Sequence, residues 1–245
     1  QGSAVTSFTN YYRSGSSRLL DGVSFLAVPG YTGMVSINYT GRSSGGATFS
    51  GVVEIQVYAA GGPPTIDGYL PFRDISSSAY YFDAVKWAVN TGITSGTTAT
   101  TFSPDAACTR AQMVTFLWRA AGSPAPRSSV NPFRDINSGA YYYQAVLWAV
   151  EQGITSGTSS TTFSPDAIIT RGQTVMFLYR NAGSPASGTG SAFDDVKIGD
   201  YYSPAVRWAV ANGITSGTSA TTFSPSASCT RAQIVTFLYR TFAGW

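Results

Sequence analysis

One tetrapeptide, returned at fixed intervals, limits what this chain can fold into. Thr109-Arg110-Ala111-Gln112 comes back as Thr170-Arg171-Gly172-Gln173 and as Thr230-Arg231-Ala232-Gln233, at intervals of 61 and 60 residues. The same intervals separate Trp87, Trp148 and Trp208, and also Phe102, Phe163 and Phe223. Self-similarity at this period means three copies of one supersecondary unit, which must bury their apolar faces against each other. The copies occupy residues 72–124, 133–184 and 193–245, after a segment at 1–62 of different texture and a linker at 63–71. Gly61-Gly62-Pro63-Pro64 opens that linker by composition.

Each copy reads as helix, loop, helix, so the repeated part is mostly α. The first helix carries Ala84-Val85-Lys86-Trp87-Ala88-Val89, with counterparts in the other copies. In the third copy Pro204 suits the first helical position, which makes Ser203 the expected cap. Gly92, Gly153 and Gly213 are placed to end these helices in the left-handed conformation. The loop that follows contains two glycines and a proline and is not helical; a short extended segment around Phe102 is expected to tuck its ring into the core. Thr109 with Gln112, Thr170 with Gln173 and Thr230 with Gln233 form capping boxes for the second helix. At 100° per residue Arg110 heads the stripe of Val114, Leu117 and Ala121, while Gln112, Thr115 and Arg119 fall on the opposite, wet face.

The arginine is locally disfavoured. A cation at a helix N-terminus meets the positive end of the macrodipole, a cost of about 0.3–1 kcal/mol. Two explanations stay open at this point. Asp105, Asp166 or Asp74 could pair with it as an internal salt bridge, although Ser226 replaces the loop aspartate in the third copy. Alternatively, free helix N–H groups and the guanidinium form a receptor for a carboxylate or phosphate. Trp87, Trp148 and Trp208 flank this region and suit either stacking on a sugar face or packing between repeats. Asp74, Asp135 and Asp195 read as turn or cap residues.

Composition removes several function classes. The chain has no histidine, and so lacks the commonest general base and the commonest metal ligand. No paired-carboxylate site or nucleophile elbow is visible, so we expect no enzyme, no metal and no cofactor. Lys and Arg total 15 against 12 Asp and Glu without any basic block, which argues against a nucleic-acid partner. Charged residues make up only 11%, with Tyr, Thr, Ser and Gly supplying polarity, as suits an extracellular surface protein. No run of about twenty apolar residues exists to span a membrane. The chain begins with Gln1 and reads as a piece of a longer precursor. Cys108 and Cys229 occupy one slot in the first and third copies, where the second has Ile169; they read as small buried residues or as a bridge across a pseudo-symmetry axis.

Residues 1–62 show period-two runs bounded by Gly and Pro: Val23–Val28, Met34–Tyr39 and Val52–Tyr58. They read as antiparallel strands. The stretch from Gly30 to Val57 resembles the closing hairpins of bacterial immunoglobulin-like surface modules, and sixty residues would make only a partial sandwich.

Phe-x-Asp, Ala-Val-x-Trp-Ala-Val, Gly-Ile-Thr-x-Gly, Phe-x-Pro and Thr-Arg-Ala-Gln, in that order, resemble the S-layer homology (SLH) repeat over residues 72–245. The resemblance implies a pseudo-trimer around a three-helix bundle, with grooves between repeats. It also implies non-covalent attachment to a secondary cell-wall polysaccharide, often through terminal pyruvylated N-acetylmannosamine. The family's binding arginine falls on Arg110, Arg171 and Arg231, and its loop glycines on Gly92 and Gly96, Gly153 and Gly157, and Gly213 and Gly217. Gln112, Gln173 and Gln233 stand where the family usually has glutamate, and Tyr80, Tyr141 and Tyr201 where it opens the first helix with tryptophan. The expected role is a cell-wall anchor for a secreted bacterial surface protein. The alternative is a structural subunit of a surface lattice or filament, self-associating through the β segment.

Overall fold

The structure, a computed structural model, describes residues 33–42, 45–57, 70–190 and 193–243. The chain divides into two units, one ending at Tyr69 and one beginning at Leu70.

In the first unit, β1 (Gly33–Arg42) pairs antiparallel with β2 (Thr48–Val57). The register sets Val35 opposite Ile55 and Ile37 opposite Val53. Arg42 Nε donates to the Gly46 carbonyl at 3.3 Å, across a turn where Gly46 has φ of 84°. The strand expected over Val23–Val28 lies outside the described residues. A hairpin is a single sheet, whereas a sandwich needs two packed faces, so the described residues give the immunoglobulin-like expectation no support.

The second unit contains six helices among its described residues: α1 (Phe82–Asn90), α2 (Arg110–Ala120), α3 (Tyr143–Glu151), α4 (Arg171–Asn181), α5 (Ser203–Ala211) and α6 (Arg231–Phe242). Helices α2, α4 and α6 touch one another and form a central three-helix bundle. Each outer helix packs on the inner helix of the preceding repeat: α3 on α2, α5 on α4, and α1 on α6. The last of these closes the ring. At its axis Cys108 N donates to Cys229 O (3.0 Å), Ile169 N to Cys108 O (2.9 Å) and Cys229 N to Ile169 O (3.0 Å).

A central helix meets neighbours on almost every side, and this overrides part of the stripe drawn from the sequence. Thr115, assigned there to the wet face, is 1% exposed, and its Oγ1 donates to the Ala111 carbonyl at 2.7 Å. Met113, Val114, Phe116 and Leu117 are buried with it. Phe102, Phe163 and Phe223 are fully buried, each tilted against the Phe that opens its own repeat. The outer helices end as expected: Gly92, Gly153 and Gly213 have φ of 74°, 68° and 68°. The amides of Ile93, Ile154 and Ile214 reach back to the Ala88, Ala149 and Ala209 carbonyls at 2.8 Å. Ser203 is one place later than expected. It is the first residue of α5 behind the cap Tyr202, is buried, and its Oγ accepts a bond from Arg207 Nη1 at 2.7 Å.

Candidate anion site at the repeat interfaces

The capping boxes are present at all three inner helices: Thr109, Thr170 and Thr230 accept the third amide, and Gln112, Gln173 and Gln233 reach back to the cap amide. The receptor alternative needs the two amides ahead of that third one to be free for a ligand. They are not. Arg110 N and Ala111 N donate to Ala167 O (2.9 Å) and Pro165 O (3.0 Å) of the second repeat. Arg171 N and Gly172 N use Ala227 O and Pro225 O, while Arg231 N and Ala232 N use Ala106 O and Pro104 O, all at 2.9 Å. The orphan donors of each helix start thus join one repeat to the next.

The guanidinium groups sit inside the same joints. Arg110, Arg171 and Arg231 are 4%, 3% and 4% exposed. Their Nε atoms donate to the carbonyls of Phe163 (2.8 Å), Phe223 (2.9 Å) and Phe102 (2.8 Å) in the following repeat. Each also lies over two phenylalanine rings: Arg110 is 4.8 Å from the Phe163 centroid and 5.5 Å from that of Phe177, and the other two repeat this. Such desolvated cation–π contacts are worth up to about 2 kcal/mol.

Among the described residues none of the three forms a direct ion pair with Asp74, Asp105 or Asp166. The aspartate acts one peptide away. Asp74 accepts the amides of Phe102 (2.9 Å) and Ser103 (2.7 Å), so the peptide group joining Phe102 to Ser103 binds the carboxylate at the Ser103 N–H and Arg231 at the Phe102 C=O. Asp135 and Asp195 do the same for Phe163 and Phe223. These aspartates, read from sequence as local turn or cap residues, are clamps reaching 28 residues along the chain. They also hold Ser103, Ser164 and Ser224 at φ of 59°, 58° and 58°, a region few non-glycine residues adopt. Burial raises the Asp74 pKa, but the two amides and the Arg231 charge together bring it below its ordinary value. Burial lowers the pKa of all three guanidinium groups, with Asp135, Asp195 and Asp74 opposing the shift.

Donor capacity is left over. Nη2 of Arg110 and of Arg171 is buried without a hydrogen-bond partner, whereas Nη2 of Arg231 donates to Thr94 Oγ1 at 3.3 Å. An unpaired buried donor costs about 1–3 kcal/mol, so these two positions favour any acceptor that reaches them.

The tryptophans take the packing alternative. Trp148 and Trp208 are buried, and Trp87 is half-buried. Trp87 lies 5.7 Å from the Tyr239 ring and Trp208 5.7 Å from Tyr179, where an outer helix meets the preceding inner one. The sugar-stacking expectation therefore fails for Trp148 and Trp208, whose faces are covered. Among the described residues the exposed aromatics are Tyr80, Tyr141 and Tyr201, at 66%, 60% and 62%, each edge-on to the tyrosine that follows it. Tyr201 interacts electrostatically with Arg110, Tyr80 with Arg171 and Tyr141 with Arg231. Each site thus draws its arginine, its loop and its tyrosine from three different repeats. The recurring Tyr-Tyr before each first helix was the signal for these residues.

Backbone geometry already accounts for the glycines. Gly96, Gly157 and Gly217 have φ near 90° (91°, 89° and 91°), and a Cβ on Gly96 would collide with the Phe72 ring and the Thr101 carbonyl. Gly92, Gly153 and Gly213 are exposed helix stops with open space around them. Cys108 and Cys229 are buried free thiols rather than a bridge, and burial pushes their pKa values to about 12 and about 11. A cavity of about 280 Å³ lined by Val130, Leu147 and Glu151 shares no residue with the arginine sites. No helix of the described residues is long and apolar enough to cross a membrane.

The S-layer homology domain matches this chain three times, over residues 71–114, 132–175 and 192–235, together more than half its length. Among curated proteins it is similar to a surface-layer 125 kDa protein of Lysinibacillus sphaericus, 31% identical over 67% of this chain and 14% of that protein. An endoglucanase of Bacillus sp. strain KSM-635 is 31% identical over 66% of this chain and 18% of the enzyme. A cell surface protein of Thermoanaerobacter kivui is 28% identical over 46% of this chain and 15% of that protein. The chain spans less than a fifth of the length of each. Each outer helix leaning on the preceding repeat's bundle helix, and each arginine locked into the next repeat's loop, is what the three matched repeats build: the chain belongs to the S-layer homology domain family and is a cell-surface or cell-wall protein.

Proposed function

We propose that the repeat unit anchors a secreted protein to the cell wall by binding an anionic secondary polysaccharide, with a pyruvylated sugar seated in the grooves between repeats. The observation that carries this reading is a set of three buried guanidinium groups without a direct counter-ion among the described residues, two of which keep an unpartnered Nη2. A pyruvyl carboxylate supplies the acceptor and the charge these groups lack. Tyr80, Tyr141 and Tyr201 offer an exposed ring beside each arginine for the sugar face. We read the unit as a binding module and not as an enzyme. The endoglucanase relative matches over 18% of its length and lends no activity to this chain.

Pull-down on purified wall sacculi tests the reading. Binding to sacculi that keep their secondary polymer, lost when that polymer is removed, is the expected result. Equal binding to both preparations would overturn it.

A further inference from the structure

The three repeat joints share one plan but differ in charge at one exposed position. Between the buried Phe that opens each repeat and the Asp that clamps the loop stand Arg73, Arg134 and Asp194. Their backbone amides make the same bond, to Thr100 O (2.8 Å), Thr161 O (2.9 Å) and Thr221 O (2.8 Å), so the three positions are equivalent. All three side chains are exposed. Each adjoins the aspartate bonded to the peptide that receives the arginine. Arg134 therefore accompanies Arg110, Asp194 accompanies Arg171, and Arg73 accompanies Arg231.

A second difference is independent of the first. Arg231 Nη2 is committed to Thr94 Oγ1, and the Cys108 thiol lies against the same guanidinium. In the second repeat, whose loop receives Arg110, the slot of Cys108 holds Ile169, and Arg110 keeps its Nη2 without a partner. Arg171 also keeps an unpartnered Nη2, but the exposed residue next to the clamping aspartate of its joint is Asp194, an anion.

Resting on the function proposed above, we infer that the grooves are unequal: the Arg110 groove is the principal acidic-sugar site, with Arg134 as its second cation, and Asp194 disfavours acidic ligands at the Arg171 groove. Only the Arg110 groove combines a free buried donor with an added positive charge.

The full chain is titrated with pyruvylated N-acetylmannosamine, and with neutral N-acetylmannosamine as control, at low and at physiological salt. Arg134→Asp is expected to weaken the acidic sugar about three- to fivefold at low salt, with the effect shrinking as salt is added. Arg73→Asp should change overall affinity by less than about twofold, because its groove is the weaker one. Asp194→Arg should strengthen binding of the acidic sugar, and none of the three should move the melting temperature or the neutral control. Equal effects of Arg134→Asp and Arg73→Asp, or no effect of either, would overturn the inference while leaving the anchoring function standing. Failure of the unaltered chain to take the acidic sugar would overturn both.

Discussion

The two kinds of helix start in the repeat unit are built in opposite ways. At α2, α4 and α6 every early donor is committed: threonine caps the third amide, the next repeat's loop takes the two amides before it, and a buried arginine fills the joint. At α1, α3 and α5 the cap is a tyrosine with no side-chain capping bond, and the residue before it is an exposed tyrosine. The inner starts hold the assembly together. Among the described residues, the outer starts are where aromatic surface is shown. A residue that is costly where it stands, such as the arginine, can thus be explained by two jobs at once: latching neighbouring repeats and leaving a donor for a ligand.

Removing a latch should have the largest effect on stability. Arg171→Ala loses a charged hydrogen bond and two ring contacts, and should destabilise the unit by about 2–4 kcal/mol in urea unfolding. Arg171→Lys keeps the charge but not the planar fork, and should recover only part of that loss. Thr170→Ala removes one capping bond and should cost about 1 kcal/mol, leaving wall binding intact. At the outer starts the order reverses. Tyr80→Ala, Tyr141→Ala and Tyr201→Ala together should shift stability by less than about 0.5 kcal/mol each while reducing retention on wall sacculi. A large loss of stability in that triple variant would erase the contrast.

Titration should sharpen the contrast further, because the ionisable groups of the joints shift in known directions. The folded pKa of Cys108 is raised from 9.0 to about 12, so its contribution is complete below pH 9.0 and lost as pH rises towards 12. Asp74 is shifted the other way: its contribution is present above its ordinary value of 3.8 and lost as pH falls through the lowered folded value. The melting temperature should therefore decline on both sides, and a thiol reagent at pH 8 should reach Cys108 and Cys229 only after unfolding.

Much of the inner starts was legible in the sequence. The capping boxes and the inward heading of Arg110 follow from local spacing, as do the glycine stops that end the outer helices, and the resemblance supplied the three-helix bundle. What local reasoning missed is long-range. Nothing between Thr109 and Gln112 indicates that the neighbouring amides would be taken by Pro165 and Ala167, more than fifty residues on. The helical wheel assumed one wet face, and Thr115 lost it to a bundle that surrounds α2. The reach of Asp74 to Phe102 spans 28 residues inside one repeat, beyond any local spacing rule, and the choice of packing over stacking by Trp148 and Trp208 depends on how repeats nest, which no single copy encodes. The exposed tyrosines were visible as a repeated pair, but exposure is a property of the assembled ring.

A crystal of the full chain soaked with pyruvylated N-acetylmannosamine tests the account most directly. It should show the carboxylate within hydrogen-bond distance of the Arg110 guanidinium and the sugar beside Tyr201. Ligand density elsewhere, with all three arginines still closed off as they are here, would contradict it.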